Sequence, residues 1–227
     1  MIEKLKNKSA TTLRSAYLAC IATLLITGCA PLAVVGIGTG IGAAALMTAD
    51  RRSGDNYLLD QSIEISVLRN IRKQFPKDRV HVNATSYNLN LLLTGEAPDK
   101  NTIDAISRTA RQHDKVKKIY NRMVAAGPSG YASRANDTFI TTKVKGRILD
   151  SKEVSANHVK VVTEKQVVYL LGLLTRQEEA AAIRITRTTS GVGKVVNLIS
   201  ILTPEQTRRL KERKAQATSR NKSTTSH

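Results

Sequence analysis

Between Asp60 and Leu202 the apolar positions fall into a pattern that occurs twice. Ile63, Val67 and Ile71 stand four apart, and so do Ile140, Val144 and Ile148, the spacing of a helix with one buried face. Two β-rich runs follow each helix, 80–86 with 89–95 and 159–163 with 167–172. The gap between runs is short, so each pair should close as a hairpin. A second helix opens near Pro98 or near Thr175 and carries Ile103, Ile106 and Ala110, or Ala180 and Ile183. Closing strands are expected over 116–124 and 194–202. The order αββαβ predicts an α+β fold of two tandem domains, 57–125 and 136–202, joined by a linker at 126–135. Each should be a three-stranded mixed sheet packed on two helices, with a right-handed crossover into its last strand.

The repetition is a true register. Asp60, Ile63, Val67, Ile71, His81, Val82 and Gly95 match Asp137, Ile140, Val144, Ile148, His158, Val159 and Gly172 at an offset of 77. Further on, Val116, Lys118, Ile119 and Asn121 match Val192, Lys194, Val195 and Asn197 at 76. The slip places a one-residue loss in the second helix of the later copy, and Asn136-Asp137 offers that copy's first helix an N-cap.

Ahead of the repeats stands a segment of another kind. Lys4, Lys6, Lys8 and Arg14 precede an uncharged, mostly apolar run over 16–27, too short to span a bilayer. It ends Ile26-Thr27-Gly28-Cys29, which resembles the bacterial lipobox. The resemblance implies a signal peptide over 1–28, cleavage before Cys29, a diacylglycerol thioether on its sulfur and an acyl chain such as palmitate on its new amine. Ala30 and Pro31 follow where an Asp would imply retention at the inner membrane, so delivery to the outer membrane is implied. Residues 29–56 read as the lipidated Cys and a Gly/Ala-rich tether. Window 38–43 matches a relaxed dinucleotide fingerprint, but no strand precedes it.

Net charge is +18, and loss of residues 1–28 removes four bases and one acid, leaving +15. The anionic partner this implies is a membrane in an exported protein, not a nucleic acid. Two cysteines, one of them in the signal, give no disulfide framework or four-ligand zinc site. No nucleophile elbow, phosphate loop or zincin helix occurs, so no enzyme, cofactor or metal is expected.

The repeated layout, with Gly95 and Gly172 closing each second strand and the ending Gly191-Val192-Gly193-Lys194-Val195-Val196-Asn197, resembles the BON domain. The first copy departs from that pattern at His113-Asp114. A lipobox followed by two such modules resembles the dual BON-domain outer-membrane lipoproteins, the division- and outer-membrane-stress-associated lipid-binding family. The stretch from Asn136 to Val144 carries the likeness most specifically. The resemblance implies a lipid-anchored protein facing the periplasm, a role in outer-membrane integrity, enrichment at division sites and contact with the outer-membrane assembly machinery. It also implies binding of anionic phospholipid, such as phosphatidylglycerol, by the first helix of the second domain.

The two copies differ along that helix. Phe139 and Lys143 replace Ser62 and Ser66 on one stripe beside the core positions. An aromatic ring among bases suits a headgroup layer, so the candidate phospholipid-binding residues are Phe139, Thr142, Lys143 and Arg147. Lys145 should face away. Two alternatives stand: Phe139 packs against the first module or its own sheet, or the stripe docks another envelope protein. His81 and His158 read as solvated strand residues, the tyrosines as strand and interface residues, and Glu178-Glu179 as a dipole-favoured first turn. The tail, 203–227, should begin as a basic helix and lose order from Thr218, either as a solvated extension or as an aid to anion binding.

Overall fold

The computed structural model describes residues 50–224. The expected signal peptide at 1–28, Cys29 and the expected tether up to 49 lie outside the described residues. No helix among the described residues is long and apolar enough to cross a membrane.

The first domain runs α1 (Gly54–Gln74), β1 (His81–Tyr87), β2 (Asn90–Ala97), α2 (Lys100–Arg111), β3 (Lys118–Asn121) and β4 (Val124–Ala125). The second repeats it as α3 (Tyr131–Asp150), β5 (Val159–Glu164), β6 (Val167–Leu174), α4 (Arg176–Arg187), β7 (Lys194–Asn197) and β8 (Ser200–Ile201). A final helix, α5, spans Pro204–Thr224. In each sheet the second strand is central, antiparallel to the first and parallel to the closing strand. The αββαβ expectation therefore holds.

Each closing strand is broken in two, because a matched asparagine turns the chain. Asn121 Oδ1 accepts the Met123 N–H at 2.9 Å, and Asn197 Oδ1 accepts the Ile199 N–H at 3.0 Å. Beyond the break the chain pairs again with the end of the central strand.

One face of each sheet receives its helices. Ile63, Val67 and Ile71 meet Leu91, Leu93 and Ile106 in one core, and Ile140, Val144 and Ile148 meet Val168, Leu170 and Ala182 in the other. The opposite faces meet each other through Tyr87 and Leu92 of the first domain and Tyr169 and Leu171 of the second. A strand buried on both faces reads as a continuous apolar run, which is why Leu91-Leu92-Leu93 does not alternate.

Gly95 is required by close approach: at φ +116° an added Cβ would lie 2.1 Å from the His81 carbonyl oxygen. Its counterpart Gly172 meets the His158 carbonyl oxygen at 2.6 Å. Both stand two residues before the strand ends rather than at its close.

Several boundaries differ from the sequence reading. Helix α1 begins at Gly54, because Ser53 caps it, so the first domain starts before residue 57. Helix α3 begins at Tyr131 behind Gly130, which shortens the linker and places Asn136-Asp137 inside the helix rather than at its cap. Asp137 is buried there, and its carboxylate accepts the Lys165 and Gln166 N–H groups at 2.8 and 2.9 Å. Asp60 does the same for Asn88 and Leu89 at 2.7 and 2.8 Å. These four donors are the central residues of the two hairpin turns, all at positive φ as a type I′ turn demands. The one-residue slip lies in a turn, not a helix. Asp99 caps α2 and Thr175 caps α4, both helices have 12 residues, and Pro98 is the extra residue before the cap. The tail stays helical through Thr224 instead of losing order at Thr218, consistent with its strong helix formers and the Arg209–Glu205 ion pair.

Candidate functional site

Helix α3 has two unlike sides. Asp137, Ile140, Val144 and Ile148 face the sheet and are buried. Phe139 is 61% exposed, Leu149 72% and Tyr131 90%. Phe139 is therefore not packed against either module. The Lys143 ammonium lies 4.6 Å from the centre of the Phe139 ring, a cation–π pair at the surface.

The four candidate residues are not equally free. Lys143 Nζ donates to the Ser190 carbonyl oxygen at 2.5 Å. Thr142 is exposed, and its hydroxyl turns back to the Thr138 carbonyl at 3.0 Å. Arg147 bonds the Ile185 carbonyl and the Thr189 and Thr188 hydroxyls at 3.0, 2.8 and 3.0 Å. It thereby satisfies the C-terminal end of α4, where helix carbonyls lack internal partners and the dipole favours a cation. Its guanidinium holds the fold as well as presenting charge.

None of Lys143, Lys145 and Arg147 makes an ion pair among the described residues, so their charges are not neutralised. Lys145 is exposed. It lines a groove between α1 and α3 of about 590 Å³, together with Glu64, Leu149 and Lys160. Partial burial, with Lys160 nearby, pulls its pKa below the usual lysine range. The groove's acids are already engaged: Glu64 by Lys160 and the Ser86 N–H, Asp60 and Asp50 by Arg52.

Helix α1 also carries exposed apolar side chains, Leu58 and Ile65, each 58% exposed. They were not singled out in the sequence because they lie off the matched core stripe, and Ile65 corresponds to Thr142.

Two further groups were missed. Arg51 forms a bidentate pair with Glu178 at 2.6 and 2.7 Å and donates to the Leu173 carbonyl. Arg52 lies 4.7 and 4.4 Å from the Tyr57 and Tyr87 ring centres and bonds Asp50 and Asp60. The last part of the segment read as tether therefore grips both domains. Glu178 is also part of the Thr175 capping box, which bears out its place in a first turn.

The histidines correct the reading of solvated strand residues. His158 is buried, in a short 3₁₀ turn before β5. His81 bonds Glu96 at 2.9 Å and stands 4.0 Å from Glu164, so carboxylates do lie at ligand spacing. The partners come from another strand and another domain, and local spacing could not reveal them. Tyr87, Tyr120 and Tyr169 lie in the layer between the sheets as expected, but Tyr131 does not.

Residues 60–127 and 136–203 each match the BON domain. The chain belongs to the BON family. Over 182 residues it is 32% identical to the outer membrane lipoprotein DolP of Haemophilus influenzae, a match covering 80% of this chain and 92% of that one. It is also 32% identical over 152 residues to a 21 kDa hemolysin of Actinobacillus pleuropneumoniae, covering 66% and 78%. With these relatives the two BON domains make the chain a dual BON-domain lipoprotein of the outer-membrane type. A solved structure of CdsD, a structural protein of the type III secretion system of Chlamydia trachomatis, aligns with 14% identity over 65% of this chain and 96% of that one. Its TM-score is 0.27, which carries no argument.

Proposed function

We propose that this BON protein is anchored by acylated Cys29 in the outer membrane, faces the periplasm and binds anionic phospholipid through α3, supporting the integrity of that membrane. The observation that carries the reading is the solvent-facing Phe139 ring with the Lys143 ammonium over it, on a helix whose bases have no carboxylate partners. A ring of this kind enters the headgroup boundary and gains about 2 kcal/mol from burial. Each base near an anionic surface adds about 1 kcal/mol. Lys143 and Lys145 supply the charge, Thr142 a hydroxyl, and Arg147 both charge and the fixed end of α4. Leu149 and the groove edge extend the surface.

Vesicle co-sedimentation tests the reading. The segment from Met47 onwards is one compact unit and lacks the anchor, so binding reports the folded surface alone. It should bind vesicles containing phosphatidylglycerol and not neutral phosphatidylcholine vesicles. Phe139→Glu should weaken that binding about tenfold or more. Unchanged binding by this variant would remove α3 as the contact and leave it as a docking face for another envelope protein.

A further inference from the structure

We propose that His81, Glu96 and Glu164 form a divalent-metal site of the zinc type, placed between the two BON domains. His81 and Glu96 are cross-strand partners at the open end of the first hairpin, and Glu164 ends β5 of the second domain. Their nearest ligand atoms lie within 4.8 Å of one another. His81 Nδ1 is 2.9 Å from Glu96 Oε2 and 4.0 Å from Glu164 Oε1. Zinc bonds of about 2.0–2.2 Å in a tetrahedron place neighbouring ligand atoms roughly 3.3 Å apart, so small side-chain shifts suffice. One imidazole and two carboxylates suit zinc, and three protein ligands leave a fourth position for water.

The charge balance points the same way. The Glu96 side chain is wholly buried; its Oε2 faces His81 and accepts the Ser129 N–H at 3.2 Å, and its Oε1 is left to an ion pair. The cation facing it is Lys165, whose ammonium stands 3.0 Å away on a side chain 40% exposed. Glu164 is buried too, with Asn83 donating to it at 3.1 Å. The two carboxylates thus share one ammonium and a neutral or charged imidazole. A divalent ion would balance both carboxylates beside a neutral imidazole, while Lys165, on a long and partly solvated stem, would swing out. Lys165 is in this sense the metal's competitor.

The repeat supplies an internal comparison. At the offset of 77 the counterparts of His81, Glu96 and Glu164 are His158, Leu173 and Tyr87. There the contact across the domains is the Tyr87 hydroxyl donating to the His158 carbonyl at 3.3 Å. One half of a pseudo-symmetric interface is closed by a tyrosine, and the other gathers three ligand types.

The test is equilibrium dialysis of the full acylated chain in detergent, stripped with a chelator and returned to zinc, with metal analysis and thermal unfolding in parallel. One zinc per chain and a raised Tm are expected. Glu164→Gln should weaken binding at least about tenfold, the loss expected when a ligand set is broken. Lys165→Met should tighten it several-fold, and His113→Ala should change nothing. Lys165 is partly exposed, so its variant keeps the test open if Glu164→Gln does not fold. Absence of stoichiometric zinc, or zinc binding indifferent to both Glu164→Gln and Lys165→Met, would overturn the site.

Discussion

Asp60 and Asp137 show how one carboxylate can fix a hairpin. Each is buried on a helix and accepts the two N–H groups of a turn whose central residues, Asn88-Leu89 or Lys165-Gln166, sit in the left-handed region without a glycine. A type I′ turn normally recruits glycine, so the carboxylate offsets a local cost. Asp137→Ala leaves two N–H groups without their charged acceptor. It should cost about 3 kcal/mol, read as a lower denaturation midpoint with an unchanged slope. The pairing of Asp60 with Asp137 was legible in the sequence. The role was not, because the donating N–H groups lie 28 and 29 residues downstream. Phe139 was the opposite case: its difference from Ser62 marked it, and it is exposed. His81 was misread for the reason that hid Asp137, since Glu164 approaches it from another domain.

At the scale of elements, apolar spacing revealed the helices and central strands, and polar side chains decided where they end. Asn121 and Asn197 split the closing strands by bonding their own backbone two residues on. The sequence reading saw these residues as matched and could not see that they turn the chain. Ser53 starts α1 earlier than the apolar pattern did, and the caps Asp99 and Thr175 show that the repeats differ by a turn residue. Arg147 joins two elements by satisfying the end of α4. Arg147→Ala should therefore fray α4, with faster hydrogen exchange at Thr186–Thr189 and a loss of about 1–2 kcal/mol. A pure lipid contact would leave those exchange rates unchanged.

Across the whole molecule, Arg51 and Arg52, just ahead of α1, fasten the domains to each other. Burial would raise the Glu178 pKa, but Arg51, the Thr175 backbone N–H and the Thr175 hydroxyl outweigh it and bring it from 4.5 to about 2. A lowered folded pKa stabilises above the unfolded value, so the contribution is complete above about pH 4.5 and drains away as pH falls towards 2. Discounted for solvent screening, it amounts to about 1–2 kcal/mol. Acid titration of stability should show this step in the wild type, and Arg51→Ala should flatten it while lowering stability at pH 7. The net charge of +15 that remains without residues 1–28 makes a second expectation. Vesicle binding should weaken as salt rises, because screening shortens the reach of Lys143, Lys145 and Arg147.

The measurement that bears most directly on the central claim is a residue-resolved NMR titration of the segment from Met47 onwards with short-chain phosphatidylglycerol. Shifts gathered at Phe139, Thr142 and Lys143, with Ser62 and Ser66 of α1 unmoved, are the expected result. Shifts on α1 alone, or none on either helix at lipid concentrations that bind, would contradict the account.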